Sequence, residues 1–371
     1  MKQLLTNKNI LPVTRRAPVF DRDLTPFLLK WYKKNLRDLP WRKTSDPYHI
    51  WISEIMLQQT TVTAVIPYYE RWFKIFPDIK TLASAPLQKV LTVWQGLGYY
   101  QRARNLHQAA QAIVSKFNTI IPSSADILKT LPGLGPYTIG AVLSIAYQKP
   151  LPVVDANVRR VLLRLMAIQE KINTKRDKEF YALLEHLIPH SEPGNFNQAL
   201  MELGALICTS KNPSCHACPV SLCCESYKKG TQELIPEIIS KKIKPLRVVI
   251  GIIDYKNKLL IQQRPEKGLL AGLWEFPGGK IEAGETPLKA IIREIKEETG
   301  LTVIKATLFT KVIHYYTQYK ISLTAFHCVC QSYTQPLKSN QKWVTKKSLK
   351  TYPMPSGSAK IILMLNSHTN V

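Results

Sequence analysis

ADILKTLPGLGPYTIGAVLSIAY, residues 125–147, decides how the first half of the chain is read. Apolar residues recur at three- and four-residue spacing on both sides of Leu131-Pro132-Gly133-Leu134-Gly135, so two helical runs meet at a tight bend. Gly133 and Gly135 can adopt positive φ and let a phosphate approach the backbone. Pro136 suits the first turn of the second helix, whose free N–H groups then face the bend. Such a bend grips one nucleic-acid phosphate without reading sequence. A plain helical turn is the alternative, and L-P-G-x-G ahead of a helix weighs against it.

Outward from the hairpin, helical periodicity holds from about Thr25 to Ser226, punctuated by Pro67, Pro77, Gly96, Gly98 and Pro122. Residues 225–247 are charged, hold two prolines and keep no period. Beyond them the period changes. RVVIGIID (247–254) and KLLIQQR (258–264) read as strands around a Tyr255-Lys256-Asn257 turn, TPLKAIIREIKEETG (286–300) as a helix, and KISLTAFHCVC (320–330) as a strand. The expected division is a basic N-terminal arm over 1–24, a helical domain over 25–226, a linker over 227–245 and an α/β domain over 246–371.

At 371 residues the chain has room for two or three domains. Lys and Arg number 51 against 26 Asp and Glu, a formal charge of +25. The excess is present in both halves, which favours a polyanionic partner through counterion release over an ordinary solvated surface. No apolar run approaches the ~18 residues of a membrane span, and the N-terminus lacks the apolar core of a signal peptide. A cytoplasmic protein without membrane contact is expected.

Five of the seven cysteines fall between Cys208 and Cys224. Clustering of this kind points to metal rather than to disulfides. Cys208, Cys215, Cys218 and Cys224 give C-x6-C-x2-C-x5-C, four thiolates that suit zinc or an iron–sulfur cluster. A single C-x-x-C knuckle with unequal spacing favours [4Fe–4S] wrapped by one loop, 208–224. Cys223 is an alternative fourth ligand, and His216 is read as a bystander. Lys211, between the first two cysteines, would be held out toward a phosphate. Cys328 and Cys330 alternate in an apolar strand and read as core.

Two acids stand out. Glu54 lies among Ile52, Ile55, Met56 and Leu57 on an expected helix, where apolar surroundings raise a carboxyl pKa as a general acid needs. Asp155 follows in LPVVDANVRR (151–160). An N-glycosidic bond breaks through a cationic sugar, so one group must protonate the leaving base and an anion must face the sugar.

With LPWR (39–42), SEIMLQQT (53–60), GLGYYQRARNLH (96–107) and VVDANVRRVL (153–162), the hairpin and the cysteine spacing closely resemble the MutY-type adenine DNA glycosylases over about residues 25–225. The resemblance implies a helix-hairpin-helix fold, with a six-helix barrel lobe and a [4Fe–4S] lobe. It implies a monomer that excises adenine mispaired with 8-oxoguanine or guanine in double-stranded DNA, during base excision repair at the bacterial nucleoid, with the target base flipped out. By the same match Glu54 protonates adenine and later activates water, while Asp155, beside Asn157, stabilises the sugar cation. Trp41, Arg42 and Glu202 surround the flipped base, and Gln59 and Tyr99 wedge into the stack. Tyr137 stands where endonuclease III-type enzymes carry a Schiff-base lysine, implying a monofunctional glycosylase. A glycosylase/lyase for oxidised pyrimidines and a non-catalytic lesion-binding protein are the rival readings. Ala156 departs from the family's usual glycine.

In the second half, Gly279, Glu285, Arg293, Glu294, Glu297, Glu298 and Gly300 satisfy G-x5-E-x7-R-E-U-x-E-E-x-G-U, with Ile295 and Leu301 at the apolar positions. This resembles the Nudix hydrolases, and LWEFPGGKIEAGE (273–285) the MutT-type branch. Glu294, Glu297 and Glu298 share one helix face at i, i+3 and i+4, and three like charges there call for Mg²⁺. Three readings compete: hydrolysis of oxidised purine nucleoside triphosphates, recognition of 8-oxoguanine in DNA, or both. Thr317 in HYYTQYKISL (314–323) is the candidate reader of the damaged base.

Overall fold

The computed structural model describes residues 24–237, 243–266, 268–316 and 318–367. Of the sequence expectations, most of the N-terminal arm, part of the linker and Thr317 therefore lie outside the described residues. The described residues up to Ala83 and from Gln108 to Glu237 form one compact unit, and Ser84–His107 with those from Ile243 onward form another.

The helices run α1 (Leu24–Asn35), α2 (Pro47–Leu57), α3 (Val62–Ile75), α4 (Ile79–Ser84), α5 (Leu87–Trp94), α6 (Gln101–Lys116), α7 (Ala125–Lys129) and α8 (Pro136–Tyr147). They continue with α9 (Ala156–Leu165), α10 (Asp177–Leu187), α11 (Pro193–Leu206), α12 (Glu225–Lys228), α13 (Pro287–Thr299) and α14 (Ser356–Ser367). The strands are β1 (Lys244–Tyr255), β2 (Lys258–Gln263), β3 (Trp274–Glu275), β4 (Val303–Tyr316), β5 (Tyr319–Cys330) and β6 (Gln341–Thr345).

In the first unit, α2 is buried on nearly every face, from Tyr48 through Met56. Its start is fixed by Asp46, whose carboxylate accepts from the N–H groups of Tyr48 and His49, with Pro47 at the first helical position. Helix α8 can press against the chain that follows it because Gly140 has no side chain: a Cβ there would stand 2.5 Å from the Pro152 carbonyl oxygen. Fully buried Asn197 on α11 then donates to Ser144 Oγ and the Leu151 carbonyl, and accepts from Val153 N–H. These bonds hold the extended run that delivers Asp155. A second core gathers α1, α9, α10 and α11 around Leu28, Val161, Phe180 and Phe196. Ile235, read from sequence as linker, is 2% exposed and belongs to this core, so the ordered fold reaches past residue 227.

The hairpin forms as α7, a bend and α8, but its glycines differ. Gly133 takes φ +79, as expected. Gly135 does not: it is the N-cap of α8 at φ −88, ψ 174, an extended conformation open to any residue. What Gly135 contributes is space, since a Cβ there would meet nothing within 4 Å and the exposed N-terminus of α8 stays uncovered.

In the second unit the strands form a mixed sheet ordered β3-β2-β1-β5-β4, with β6 also pairing β2. Strands β1 and β5 are parallel; the other pairs are antiparallel. The β1–β2 turn is the two-residue type that wants positive φ twice, supplied by Lys256 (+48) and Asn257 (+60). Alternation along β1 sends Val249 and Ile253 to the α13 face and Ile250 and Ile252 to the opposite core with Ile361 and Leu365 of α14. Cys328 and Cys330 are core residues, each 3% exposed. Ser84–His107, read from sequence within the helical domain, packs here: Tyr100 Oη donates to the Met354 carbonyl (3.1 Å) and Gln88 Nε2 to that of Thr351 (3.2 Å).

Candidate active site

One cavity of about 410 Å³ in the first unit is lined by Trp41, Arg42, Glu54, Tyr137, Asp155, Asn157 and Glu202. Seven residues named separately from sequence thus share one wall. Glu54 is 5% exposed, and burial pushes its carboxyl up to about 7; the Tyr137 hydrogen bond and Arg42 pull the other way, and Asp155 adds to the rise. Tyr137 Oη donates to Glu54 Oε2 at 2.5 Å and lies 3.3 Å from Met201 Sδ. Burial, then the neighbouring Glu54 carboxylate, lift the Tyr137 phenol well above its ordinary range, so it remains a proton-bearing donor.

Asp155 caps α9. One carboxylate oxygen accepts from Val158 N–H at 2.7 Å, and the other faces Asn157 Nδ2 at 3.3 Å. Burial raises its pKa while the Val158 and Asn157 N–H groups, Arg160 and Arg159 oppose the rise. A carboxylate met by a helix N-terminus and amide donors is equipped to stay anionic beside a cation. Arg160 extends the arrangement: it donates to Asn157 Oδ1 (3.0 Å), the Gly204 carbonyl (2.7 Å) and the Cys208 carbonyl (2.8 Å).

Glu202, 1% exposed, behaves oppositely. Hydrogen bonds from Arg37 and Arg42 outweigh its burial and hold it down at about 2. Arg37 alone supplies its backbone N–H, Nε and Nη2. Sequence reasoning passed over Arg37; its position in RDLPWR beside Arg42 was the available signal.

The nucleic-acid contacts named from sequence lie outside this cavity. Gln59 (φ +58) and Tyr99 (φ +47) are non-glycine residues in the left-handed region, a strain that tends to gather at functional positions. Lys211 is exposed on a loop pinned by Thr209 Oγ1 bonding the Lys211 carbonyl.

Cys208, Cys215, Cys218 and Cys224 line one pocket with Val161, Arg164 and Leu203; Cys223 and His216 are not among its walls. Arg164, 1% exposed, donates to Cys208 Sγ (3.3 Å), to the Thr209 carbonyl (2.6 Å) and to that of Ile235 (2.7 Å). Among the described residues no three His, Cys, Asp or Glu side chains converge as ligands of a single metal ion.

In the second unit, Arg293 donates to both Glu285 oxygens and also to Glu294 and Glu297. Glu298 turns elsewhere, accepting from Gly278 N–H (2.7 Å) and Gln262 Nε2 (2.5 Å). Glu294 and Glu297 thus share Arg293, while Glu298 is bonded elsewhere. The Glu294 carboxyl group lies against Gly279, where a Cβ would stand 2.5 Å from it. Glu275 was not singled out from sequence. It pairs with Arg264 at 2.7 Å, and burial raises it to about 7 despite that arginine, with Glu298 adding to the rise.

The family described as HhH-GPD superfamily base excision DNA repair protein matches residues 52–190, and the NUDIX domain matches residues 248–364. Adenine DNA glycosylase of Mus musculus is 32% identical over 406 residues, covering 93% of this chain and 79% of that protein. The Homo sapiens protein of the same name is 32% identical over 394 residues, with 90% and 72% covered. That of Buchnera aphidicola subsp. Baizongia pistaciae is 40% identical over 263 residues, with 67% and 72% covered. Among solved structures, a thermostable thymine-DNA glycosylase aligns at 30% identity and TM-score 0.52, covering 59% of this chain and 100% of that one.

Proposed function

The chain belongs to the adenine DNA glycosylases of base excision repair and carries a Nudix domain, and on that premise we propose that Glu54 and Asp155 jointly sever the bond between adenine and deoxyribose. Glu54 hands its proton to the flipped adenine. Tyr137 Oη, a donor to Glu54 Oε2, steers the remaining oxygen toward the base. As the bond breaks, Asp155 faces the cationic sugar with its charge kept by α9 and Asn157. Glu54, now ionised, accepts a proton from the incoming water. Trp41, Arg42 and the anionic Glu202 enclose the base.

The observation that carries this reading is a single buried carboxyl raised to about 7 in one cavity with a second, N-capping carboxylate. With Tyr137 where a lyase would need an amine, strand cleavage is not part of the reaction. The mispair is adenine opposite 8-oxoguanine or guanine. The test is single-turnover base release from duplexes bearing adenine opposite 8-oxoguanine, adenine opposite guanine, and oxidised pyrimidines. Release of adenine by wild type but not by Glu54→Gln is expected. Excision of oxidised pyrimidines with strand nicking would overturn the assignment.

Family membership typically brings a [4Fe–4S] cluster, and the four cysteine walls of one pocket fit it. When bound, the cluster would clasp the 208–224 loop and so hold Lys211 outward.

For the Nudix domain, hydrolysis of oxidised purine nucleoside triphosphates is the second reading. The NUDIX match over residues 248–364, with the Glu294 carboxyl group lying against Gly279, supports it. Glu294, Glu297 and Glu298, once turned away from Arg293, Gly278 and Gln262, would hold Mg²⁺, which would polarise a pyrophosphate. Turnover of 8-oxo-dGTP with Mg²⁺, lost in Glu298→Gln, tests it; no turnover with lesion-duplex binding kept leaves the domain as a reader of 8-oxoguanine.

A further inference from the structure

The second unit holds a cavity of about 340 Å³ whose apolar wall is Leu246, Val248, Ile250, Ile321 and Leu323 from the parallel pair β1 and β5. One end is charged, with Arg264, Glu275, Lys280 and Glu298. Another is polar, where Ser358, 5% exposed, lines the cavity. It sits in the first turn of the twelve-residue α14, where backbone N–H groups lack acceptors one turn earlier. An apolar slot with a donor-rich edge and a charged mouth beside the Gly278–Lys280 backbone suits a purine nucleoside phosphate, its base edge toward Ser358 and its phosphates toward the acids.

The same cavity is walled by Gly98 and Tyr100, the residues flanking the wedge candidate Tyr99. That short run is held in an uncommon backbone: Gly98 is at φ +69 and Tyr99 at φ +47. It is fastened to the cavity rim by Tyr100 Oη on the Met354 carbonyl, and stiffened by Arg102 donating to the Leu97 and Gly98 carbonyls. The Tyr99 ring stands 6.3 Å from Tyr316, which also lines the cavity. A ligand in the cavity therefore touches both neighbours of the wedge and the aromatic ring beside it.

We propose that a free purine nucleoside phosphate in this cavity opposes binding of lesion DNA, through the Gly98–Tyr100 run that both ligands require. This rests on the nucleotide reading of the Nudix domain but not on its being hydrolytic. Two effects set the sign. The occupied cavity fixes the run in its free conformation, and the ligand's phosphates repel those of a duplex arriving at Tyr99. Reciprocity makes lesion duplex weaken nucleotide binding by the same factor.

The experiment uses full-length Glu54→Gln protein, so that no base is excised, with Ca²⁺ in place of Mg²⁺, so that a cation bridges the phosphates to the acids while hydrolysis is held off. Fluorescence anisotropy follows an adenine:8-oxoguanine duplex titrated at fixed ionic strength with 8-oxo-dGTP, dGTP or inorganic tripolyphosphate, while calorimetry records nucleotide binding directly. At saturating 8-oxo-dGTP the duplex Kd rises at least tenfold, tripolyphosphate gives less than a third of that effect, and Ser358→Ala shifts the nucleotide midpoint to higher concentration. Nucleotide bound without change in duplex affinity overturns the coupling and leaves the nucleotide reading standing. No nucleotide bound overturns both. Equal effects of 8-oxo-dGTP and tripolyphosphate reduce the observation to charge competition and overturn the proposal.

Discussion

A carboxyl group that is 5% exposed and bonded to a phenol costs the fold something whenever it is ionised. Glu54 has a folded pKa near 7 against an ordinary 4.5. The folded state thus holds its proton more tightly than the unfolded chain does. The cost is absent below about pH 4.5, grows as pH rises between the two values and is complete above 7. Glu54→Gln removes the charge and keeps an acceptor for Tyr137, so it should stabilise the protein by about 1–3 kcal/mol at pH 8 and by little at pH 4. Denaturant melts at the two pH values check this. Its activity moves the other way: base release should fall by at least a thousandfold, and the wild-type rate should decline about tenfold per unit above pH 7 as the acid form is lost. A pH-independent single-turnover rate would show that Glu54 is not the proton donor. Glu54 was legible in sequence because four apolar neighbours surround it within one helical turn. Its partner Tyr137, eighty-three positions along the chain, was legible only through family resemblance, since no local pattern links a carboxyl in one helix to a phenol in another.

At the scale of elements, the proposed catalytic geometry depends on how closely α9 and α11 approach. Gly204 on α11 makes that approach: a Cβ there would stand 2.7 Å from Asn157 Cβ. Gly204→Ala should displace Asn157, the amide beside Asp155, costing about 1–3 kcal/mol of stability. It should lower the single-turnover rate roughly tenfold, with duplex affinity little changed. Arg160 links the same two helices to the cysteine loop through Asn157 and the Gly204 and Cys208 carbonyls. With the proposed [4Fe–4S] cluster in that loop, Arg160→Gln should reduce both iron content per chain and excision rate, whereas a cysteine-loop defect alone would change iron first. Iron analysis beside single-turnover kinetics separates the two. None of this was visible in the sequence. Helix periodicity marks faces, but it does not say which glycine lies under which residue of a crossing helix. The hairpin shows the same boundary. Its existence and its Gly133 conformation followed from local chemistry, while Gly135 proved to be an extended N-cap, because both backbone regions are open to glycine and only the helix start selects one.

For the whole molecule, the succession of a helical region by an α/β one was legible in the sequence, because the hydrophobic period itself changes. It missed the grouping of Ser84–His107 with the later residues. That grouping rests on side-chain bonds to carbonyls some 260 positions away, such as Gln88 to Thr351 and Tyr100 to Met354, which leave no periodic trace. Charge is the property that acts at this scale. Each lysine or arginine set against a phosphate releases counterions, whereas a hairpin that offers backbone N–H groups grips its phosphate without carrying net charge. The two kinds of contact should separate in a salt titration. Lys211→Ala should weaken duplex binding mainly at low salt and flatten the slope of log affinity against log salt by about 0.9. Gly133→Ala strains the bend at φ +79 and should weaken binding by a similar factor at every salt concentration, leaving the slope unaltered. Anisotropy titrations between about 50 and 200 mM salt measure both. A slope change in Gly133→Ala would mean that the hairpin holds DNA through side-chain charge, and a parallel shift in Lys211→Ala would mean that the lysine never reaches a phosphate.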